Sequence, residues 1–178
     1  YAKTIGEWFE KAERRDFVRR IWSKDTTLWT QDPSGQEEAS RRLGWLRAPA
    51  EMEERVAELA AFTEEIRGEG FTKVLLLGMG GSSLAPEVFQ KVFGKREGYP
   101  ELLVLDSTDP VHIRDVEERL EPSKTLFIVS SKSGTTVESV SLFKYFFEKA
   151  GGPSVAGRHF VAITDPDTPL AELAQKNR

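Results

Sequence analysis

Four short aliphatic runs alternate with helix-like stretches after residue 70, and this alternation restricts the fold more than any other feature of the chain. The runs are residues 74–77, 102–105, 126–129 and 160–163. The helix-like stretches are residues 84–93, 111–120 and 136–149, and Thr168-Pro169 opens a further helix. Continuous apolar runs of this length are typical of parallel strands buried on both faces. The order therefore predicts an α/β fold, a three-layer flavodoxin-like parallel sheet with strand order 2-1-3-4-5.

The first 70 residues differ in composition from the rest, because all four tryptophans of the chain lie within residues 8–45. Thr4 followed by Glu7 is a capping-box pattern, which predicts a helix from about residue 5. The apolar register shifts near residue 17, which indicates a kink or a second helix. Residues 31–35 are predicted to form a loop, and residues 49–67 are predicted to form a long helix. We expect residues 1–70 to form a helical arm, anchored by its tryptophans on an α/β domain of residues 71–178. The alternative is that some of the tryptophans face a missing half of the protein.

Two turns rich in glycine, serine and threonine follow the first and third predicted strands. They are Gly78-Met79-Gly80-Gly81-Ser82-Ser83 and Ser130-Ser131-Lys132-Ser133-Gly134-Thr135-Thr136. In the predicted strand order these two strands are neighbours, so both turns meet at the switch point where such sheets bind ligands. A capping-box pattern of Thr135 and Glu138 predicts that the next helix also begins there. Converging helix N-termini and backbone N–H groups indicate a phosphorylated ligand.

The side chains of the two turns are suited to a phosphate group. The hydroxyl donors are Ser82, Ser131, Ser133 and Thr136, and Lys132 adds a positive charge. The alternative explanation for either turn alone is that it only connects a strand to a helix and binds no ligand. Neither turn has the Gly-Lys-Ser/Thr ending of a Walker A loop. A dinucleotide fingerprint fits poorly because Ser83 takes its third glycine position, although Asp106 resembles its ribose-binding acid.

Composition argues against several other classes of site. The net charge of −4 offers no general attraction for nucleic acid or an anionic membrane. The chain has no cysteine, which excludes disulfides and thiolate metal ligands and is compatible with the reducing cytoplasm. His112 and His159 are too scattered for a zinc-type ligand set. We expect a cytoplasmic protein with no metal, no cofactor, no nucleic-acid partner and no membrane association.

The segments GMGGSSLAP, residues 78–86, and SSKSGTT, residues 130–136, resemble the two signature segments of the sugar isomerase (SIS) fold, and more closely those of the glucose-6-phosphate isomerase family. In that family the matching positions contact the substrate or hold its phosphate. In this sequence they are Gly81, Ser82, Ser131, Lys132, Ser133 and Thr136. Met79, Ser83 and Ala85 replace the usual isoleucine, aspartate and glycine, and none of these changes removes a phosphate donor. Residues 20–29, RIWSKDTTLW, resemble the segment that precedes the isomerase unit in bifunctional transaldolase/glucose-6-phosphate isomerase chains.

The resemblance implies an aldose-ketose isomerase that interconverts glucose 6-phosphate and fructose 6-phosphate through a cis-enediol. In the family the acid-base residues and the cation for the enediolate lie in segments after the region matched here, so we assign no catalytic residue and expect the chain to be inactive by itself. His112, His159, Asp106 and Glu138 are expected to be structural or exposed. A non-catalytic phosphosugar-sensing SIS module is the alternative, but the arm lacks the basic recognition helix of such regulators.

The ends of the chain suggest a piece of a longer protein, because it begins at Tyr1 and stops just after an amphipathic segment has begun. The helix predicted at residues 136–149 carries Val140, Phe143, Phe146 and Phe147, which is more apolar width than one sheet contact requires. We therefore expect much of this helix to pack against a missing C-terminal half or a homodimer partner.

Overall fold

A computed structural model describes residues 1–154 and 156–177 of the chain. The chain forms two compact units, Tyr1–Ala61 and Phe62–Arg178. The first unit is helical, and the second contains a parallel sheet with helices. The division falls inside a long helix that ends at Gly68, close to the boundary expected from the sequence. The domain limits 1–70 and 71–178 stay predictions.

The helices of the first unit follow one another closely along the chain. They are α1 (Ala2–Arg14), α2 (Phe17–Trp22), α3 (Pro33–Arg41) and α4 (Ala48–Gly68), the last of which continues into the second unit. Asp16 takes a positive φ of 51° between α1 and α2, so the chain changes direction where the apolar register shifts. The second helix near residue 17 and the long helix over residues 49–67 are therefore confirmed.

Two local predictions in this unit are wrong. Helix α1 begins at Ala2 with Tyr1 as its N-cap, so Thr4 and Glu7 lie inside the helix and form no capping box. Residues 31–35 are not a continuous loop, because the Asp32 carboxylate accepts a 2.8 Å hydrogen bond from the N–H of Gly35 and caps α3. Aspartate followed by Pro33 at the first helical position is itself a helix-start signal.

The tryptophans of the first unit are exposed, contrary to the expectation that they are buried anchors. Trp29 is 48% exposed, and Trp8, Trp22 and Trp45 are each 64% exposed. The buried apolar side chains of this region are the leucines Leu28, Leu43 and Leu46. An aromatic side chain stabilises a fold chiefly through the area it buries, so these tryptophans contribute little to the stability of the described structure.

The second unit alternates strands with helices in the predicted order. In chain order they are β1 (Lys73–Gly78), α5 (Gly81–Phe93), β2 (Glu101–Leu105), α6 (Pro110–Glu117), β3 (Thr125–Ser130), α7 (Val137–Lys149), β4 (Phe160–Ile163) and α8 (Pro169–Lys176). The sheet has the order β2-β1-β3-β4 with all neighbours parallel. The register pairs Gly78 with Ser130, the last residues of β1 and β3. The α/β parallel sheet predicted from the aliphatic runs is confirmed.

Aromatic side chains form much of the core between α7 and the sheet. The ring of Phe127 on β3 stacks on Phe160 of β4 with centroids 4.7 Å apart, and lies 5.5 Å from the ring of Phe146 on α7. Phe143 and Phe147 of α7 are also buried and contact Phe160. The apolar width of α7 is thus used within its own unit, so the prediction that much of this helix packs against a missing partner is wrong.

Helix α5 instead carries a continuous exposed apolar surface. Its outer apolar face consists of Leu84, Val88, Phe89, Val92 and Phe93, each between 54% and 78% exposed. These residues recur at helical spacing, so they form one continuous stripe along the helix. Within the described ranges no helix is long and apolar enough to cross a membrane.

Candidate functional site

A shallow cleft of about 400 Å³ lies at the carboxyl edge of the sheet. Three segments line it, in pairs of residues: Gly81 and Ser82 after β1, Ser130 and Lys132 at the end of β3, and Thr164 and Asp165 after β4. Because β1 and β3 are neighbours, the two glycine-containing turns meet at this edge as the sequence analysis expected. This cleft is the candidate site.

The first turn brings backbone close to backbone before α5 begins. A Cβ atom on Gly78 would lie 3.1 Å from Ser82 Cβ and 3.2 Å from the carbonyl oxygen of Ser130, so glycine allows this close approach without displacing either neighbour. Gly80 takes a positive φ of 54° and is the N-cap of α5. Ser83 is fully buried and donates to the Gly80 carbonyl at 3.0 Å. Gly81 and Ser82 therefore face the cleft, whereas Ser83 stabilises the turn.

The second turn is organised by two pairs of hydroxyl groups. Ser131 Oγ lies 3.0 Å from Thr136 Oγ1, and Ser133 Oγ lies 2.9 Å from Thr135 Oγ1. Ser131 is buried, Thr136 is half-buried and Ser133 is exposed. Thr136 is the N-cap of α7, so the capping box predicted for Thr135 and Glu138 is wrong. Helix α7 nevertheless begins beside the second turn, as predicted.

Helices α5 and α7, which begin after β1 and β3, differ from α6 and α8 in how their N-termini are capped. Asp109 caps α6 and Thr168 caps α8 through side-chain oxygens. The N-caps of α5 and α7, Gly80 and Thr136, make no side-chain capping hydrogen bond. In α5 the N–H groups of Ser82 and Ser83 already donate to the carbonyls of Met79 and Gly80, at 3.1 and 3.0 Å. Both helix N-termini nevertheless carry a partial positive charge. Anions are favoured at such positions.

The six residues predicted for the site hold different positions in the structure. Gly81, Ser82 and Lys132 line the cleft, and Lys132 is exposed. Ser131, Ser133 and Thr136 belong to the same turn as Lys132 but do not line the cleft. Their contact with a ligand stays a prediction. Within the part of the chain that the structure describes, no cluster of three or more His, Cys, Asp or Glu side chains has metal-binding geometry.

Sequence reasoning missed the contribution of the segment after β4. The N–H of Asp165 donates to the Lys132 carbonyl at 3.2 Å, and the Thr164 hydroxyl donates to the same oxygen at 3.3 Å. The strand order contained the signal, since β4 lies next to β3 and its carboxyl end reaches the same edge. Asp165 lines the cleft, as does Lys132.

The remaining titratable candidates are structural or exposed, as expected. His159 lies with Nδ1 3.1 Å from the Thr125 carbonyl oxygen, and its ring packs edge-on against Phe71. His112 is exposed on α6, where its backbone N–H donates to Asp109. Asp106 is exposed after β2, and Glu138 is exposed in the first turn of α7.

The fold and the cleft define an α/β protein with a cleft at the carboxyl edge of its parallel sheet, and the comparisons with known proteins give its family. A family profile described as phosphoglucose isomerase matches residues 48–175. The chain is 32% identical over 126 residues to the glucose-6-phosphate isomerase of Chelativorans sp. (strain BNC1), a match that covers 64% of this chain and 23% of that protein. The chain therefore belongs to the phosphoglucose isomerase family, and the family resemblance of its two turns is confirmed.

Solved structures agree with this assignment. The crystal structure of a hypothetical protein from Thermus thermophilus is similar with a TM-score of 0.62 and 25% identity, over 94% of this chain and 39% of that one. The crystal structure of a glucose-6-phosphate isomerase from Chlamydia trachomatis is similar with a TM-score of 0.58 and 25% identity, over 84% of this chain and 28% of that one. The chain thus spans about a quarter of the length of the Chelativorans relative. The resemblance of residues 20–29 to bifunctional transaldolase chains stays a prediction.

Proposed function

We propose that this chain is the phosphosugar-binding part of a glucose-6-phosphate isomerase, and that the cleft holds the phosphate group of the substrate. The whole enzyme interconverts glucose 6-phosphate and fructose 6-phosphate through a cis-enediol. Membership of the phosphoglucose isomerase family and the names of the relatives support this proposal. The cysteine-free composition is compatible with action in the cytoplasm.

One observation carries the phosphate assignment. Two helices without side-chain caps, α5 and α7, begin at the carboxyl ends of the neighbouring strands β1 and β3, where Lys132 is exposed. Each helix N-terminus acts as roughly half a positive charge, so this edge attracts an anion although the chain carries a net charge of −4. A phosphate group offers several acceptor oxygens, which suits donors that converge from two turns.

The proposed roles follow from where each residue lies. Gly81 supplies a backbone N–H at the start of α5, and Ser82 adds a hydroxyl beside it. Lys132 supplies the charge that strengthens these hydrogen bonds. Ser133 and Thr136 add hydroxyl donors from the second turn, and Ser131 holds Thr136 through their mutual hydrogen bond.

The isomerisation step requires groups other than the proposed phosphate-binding residues. Moving a proton between C1 and C2 needs a positioned general base, and the enediolate needs a cation near the reacting carbons. We place these groups in the parts of the full-length enzyme that this chain does not include, since it spans 23% of the Chelativorans relative. Binding the phosphate stabilises ground state and transition state nearly equally, so it anchors the substrate without lowering the chemical barrier.

An NMR titration of the ¹⁵N-labelled chain tests the phosphate assignment. Inorganic phosphate and glucose 6-phosphate should shift the amide signals of residues 80–83 and 131–136, whereas glucose should shift none of them. A charge-assisted hydrogen bond contributes about 1.5–3 kcal/mol, so Lys132→Gln should weaken phosphate binding by about tenfold or more.

The matched control is Lys124→Gln, which removes the same charge from an exposed lysine just before the amino end of β3. Phosphate affinity should be unchanged in this variant. Equal weakening by both variants would show general electrostatic attraction instead of a site. Absence of any shift at the two turns in the unmodified chain would refute the proposed phosphate role.

We also propose that the outer apolar face of α5 is covered by the rest of the full-length enzyme. The relatives support coverage by the rest of the enzyme, because this chain matches only 23% of the Chelativorans protein and 28% of the Chlamydia trachomatis protein. Five exposed apolar side chains on one helix form a surface that a soluble protein ordinarily buries. Contact with a second copy of the enzyme is the competing outcome.

A further inference from the structure

The loop between β4 and α8, residues 164–168, is tied to the second turn by backbone and side-chain hydrogen bonds. The Lys132 carbonyl accepts from the N–H of Asp165 at 3.2 Å and from the Thr164 hydroxyl at 3.3 Å. The N–H of Ser131 donates to the Ile163 carbonyl at 3.0 Å, which extends the pairing of β3 with β4 into the turn. The backbone on both sides of Lys132 is therefore held by the segment that follows β4.

Thr168 is the buried centre of this loop. Its hydroxyl oxygen lies 2.8 Å from the hydroxyl oxygen of Thr164, 3.0 Å from the Asp165 carbonyl oxygen and 3.2 Å from the N–H nitrogen of Ala171. The last contact caps α8. Each threonine has one hydroxyl proton, so the pair forms a short chain of hydrogen bonds that links the start of α8 to the loop and, through Thr164, to the Lys132 carbonyl.

Thr168 also packs directly beneath the second turn. Gly134 has a positive φ of 67°, and a Cβ atom there would lie 2.8 Å from Thr168 Cβ and 2.9 Å from the backbone nitrogen of Leu170. The backbone of Gly134 thus rests on the Thr168 side chain with no space for a methyl group. One buried threonine, which does not line the cleft, is connected to the turn at both Lys132 and Gly134.

We propose that Thr168 is a positioning residue for phosphate binding, one that holds the turn from Lys132 to Gly134 in its receptive conformation without touching the ligand. The functional part of this inference rests on the phosphate role proposed above. The structural part does not, because the loop holds the turn whether or not an anion is present. Two measurements on the same variants therefore separate the two proposals.

The first measurement is amide hydrogen exchange without ligand, in Thr168→Val and Thr168→Ser. Valine keeps the shape of threonine but removes the hydroxyl, so the N–H groups of Asp165 and Gly134 should exchange about two- to tenfold faster. Serine restores the hydroxyl and should return these rates to those of the unmodified chain. Exchange at Leu77 in β1 should be unaffected by either change.

The second measurement is the affinity for inorganic phosphate by NMR titration. Thr168→Val should weaken binding about three- to tenfold, and Thr168→Ser should restore it. Asp109→Ala is the matched control, because it removes the side-chain cap of α6 just as Thr168→Val removes that of α8, at a helix that follows β2. This control should lower stability without changing phosphate affinity.

The outcomes separate the two proposals. If the unmodified chain shows no phosphate shifts, the proposed phosphate role fails, and with it the role of Thr168 in binding, while the exchange rates still decide whether Thr168 holds the turn. If phosphate binds and Thr168→Val changes neither exchange nor affinity, the positioning role is overturned. The same conclusion follows if Asp109→Ala weakens phosphate binding as much as Thr168→Val does, or if serine fails to rescue.

Discussion

The hydroxyl oxygens of Ser131 and Thr136 lie 3.0 Å apart, across the turn that joins β3 to α7. Ser131 is 2% exposed, whereas Thr136 is half-buried at the start of the helix. Each hydroxyl donates once and can also accept, so Ser131 can donate to Thr136 while Thr136 donates to a ligand oxygen. In the proposed phosphate site, Ser131 is therefore the buried supporting group and Thr136 is the proposed ligand contact.

Replacing either member of this pair should weaken phosphate binding, and Thr136→Val should weaken it more. Ser131→Ala should lower the free energy of unfolding by about 0.5–1.5 kcal/mol, because one hydrogen bond is lost and the half-buried Thr136 hydroxyl is left without its partner. Urea unfolding and phosphate titration measure the two effects. Ser123→Ala, at an exposed serine before β3, is the control and should change neither. Reduced stability with unchanged phosphate affinity in both variants would mean that the pair is only structural.

A side chain at Gly134 should disrupt the second turn. Gly134→Ala adds strain at a positive φ, about 1–2 kcal/mol, and forces a contact of 2.8 Å with Thr168 Cβ, which overpacks the site at a further cost of about 1–3 kcal/mol. Gly70→Ala is the matched control, since its φ is +81° but no atom lies within 4 Å of the added methyl. Thermal unfolding should show the larger loss at Gly134. Equal losses at both positions would indicate that φ alone matters and that the loop does not press on the turn.

The sequence predicted the second unit well, because its strands are short aliphatic runs, of which those in β1 and β3 are largely buried. Each of the runs 74–77, 102–105, 126–129 and 160–163 lies within a strand of the structure. The meeting of the two turns followed from chain order and the geometry of parallel sheets. Local chemistry was less predictable. A capping-box pattern does not decide between adjacent threonines, and the N-cap of α7 is Thr136 instead of the predicted Thr135.

Burial of the helices could not be predicted from apolar content alone. Helix α7 has more apolar residues than one face usually needs, yet Phe143, Phe146 and Phe147 are all buried around Phe127 and Phe160. The size of aromatic rings, rather than a missing partner, accounts for that width. The part of the cleft after β4 was missed although the predicted strand order already placed the carboxyl end of β4 beside that of β3. Which residues of that loop line the cleft could not be predicted, because the loop's hydrogen bonds leave no pattern in the sequence.

The outer apolar face of α5 should be protected in the full-length enzyme and reactive in this chain. Hydroxyl-radical footprinting of both proteins reports on Phe89 and Phe93, which are 60% and 78% exposed here. Protection at concentrations where the full-length enzyme is monomeric supports coverage by its own chain. Protection that appears only on dimer formation would assign the face to a second copy, and no protection at all would contradict coverage.

The stability of the first unit should depend on pH through Asp25. Hydrogen bonds from Thr27 and then Arg20 lower the pKa of this carboxyl from its ordinary 3.8 to about 2. The unfolded chain therefore binds more protons between these values. The stabilisation is complete above about pH 4 and is lost as the pH falls toward 2.

Tryptophan fluorescence measures this transition, since Trp22 and Trp29 flank Asp25 in the sequence. Asp25→Asn should remove the pH dependence in this window and lower stability at neutral pH. The control is Glu13→Gln, at an exposed carboxyl group of α1, and it should leave the pH profile unchanged. An unaltered profile in Asp25→Asn would show that another carboxyl group controls the acid transition.

The chain by itself should bind glucose 6-phosphate without isomerising it. The proposed site supplies donors for the phosphate group only, and uniform binding of ground and transition states does not accelerate the reaction. A positioned general base typically contributes about 10²- to 10⁴-fold, and none of the six residues assigned to the phosphate is one. A coupled assay for fructose 6-phosphate measures turnover, with Ser131→Ala/Thr136→Ala purified in parallel to correct for contaminating host enzyme. Turnover that this control abolishes would contradict the prediction, and Asp165→Asn and Glu138→Gln would then identify the base, since Asp165 lines the cleft and Glu138 lies in the first turn of α7.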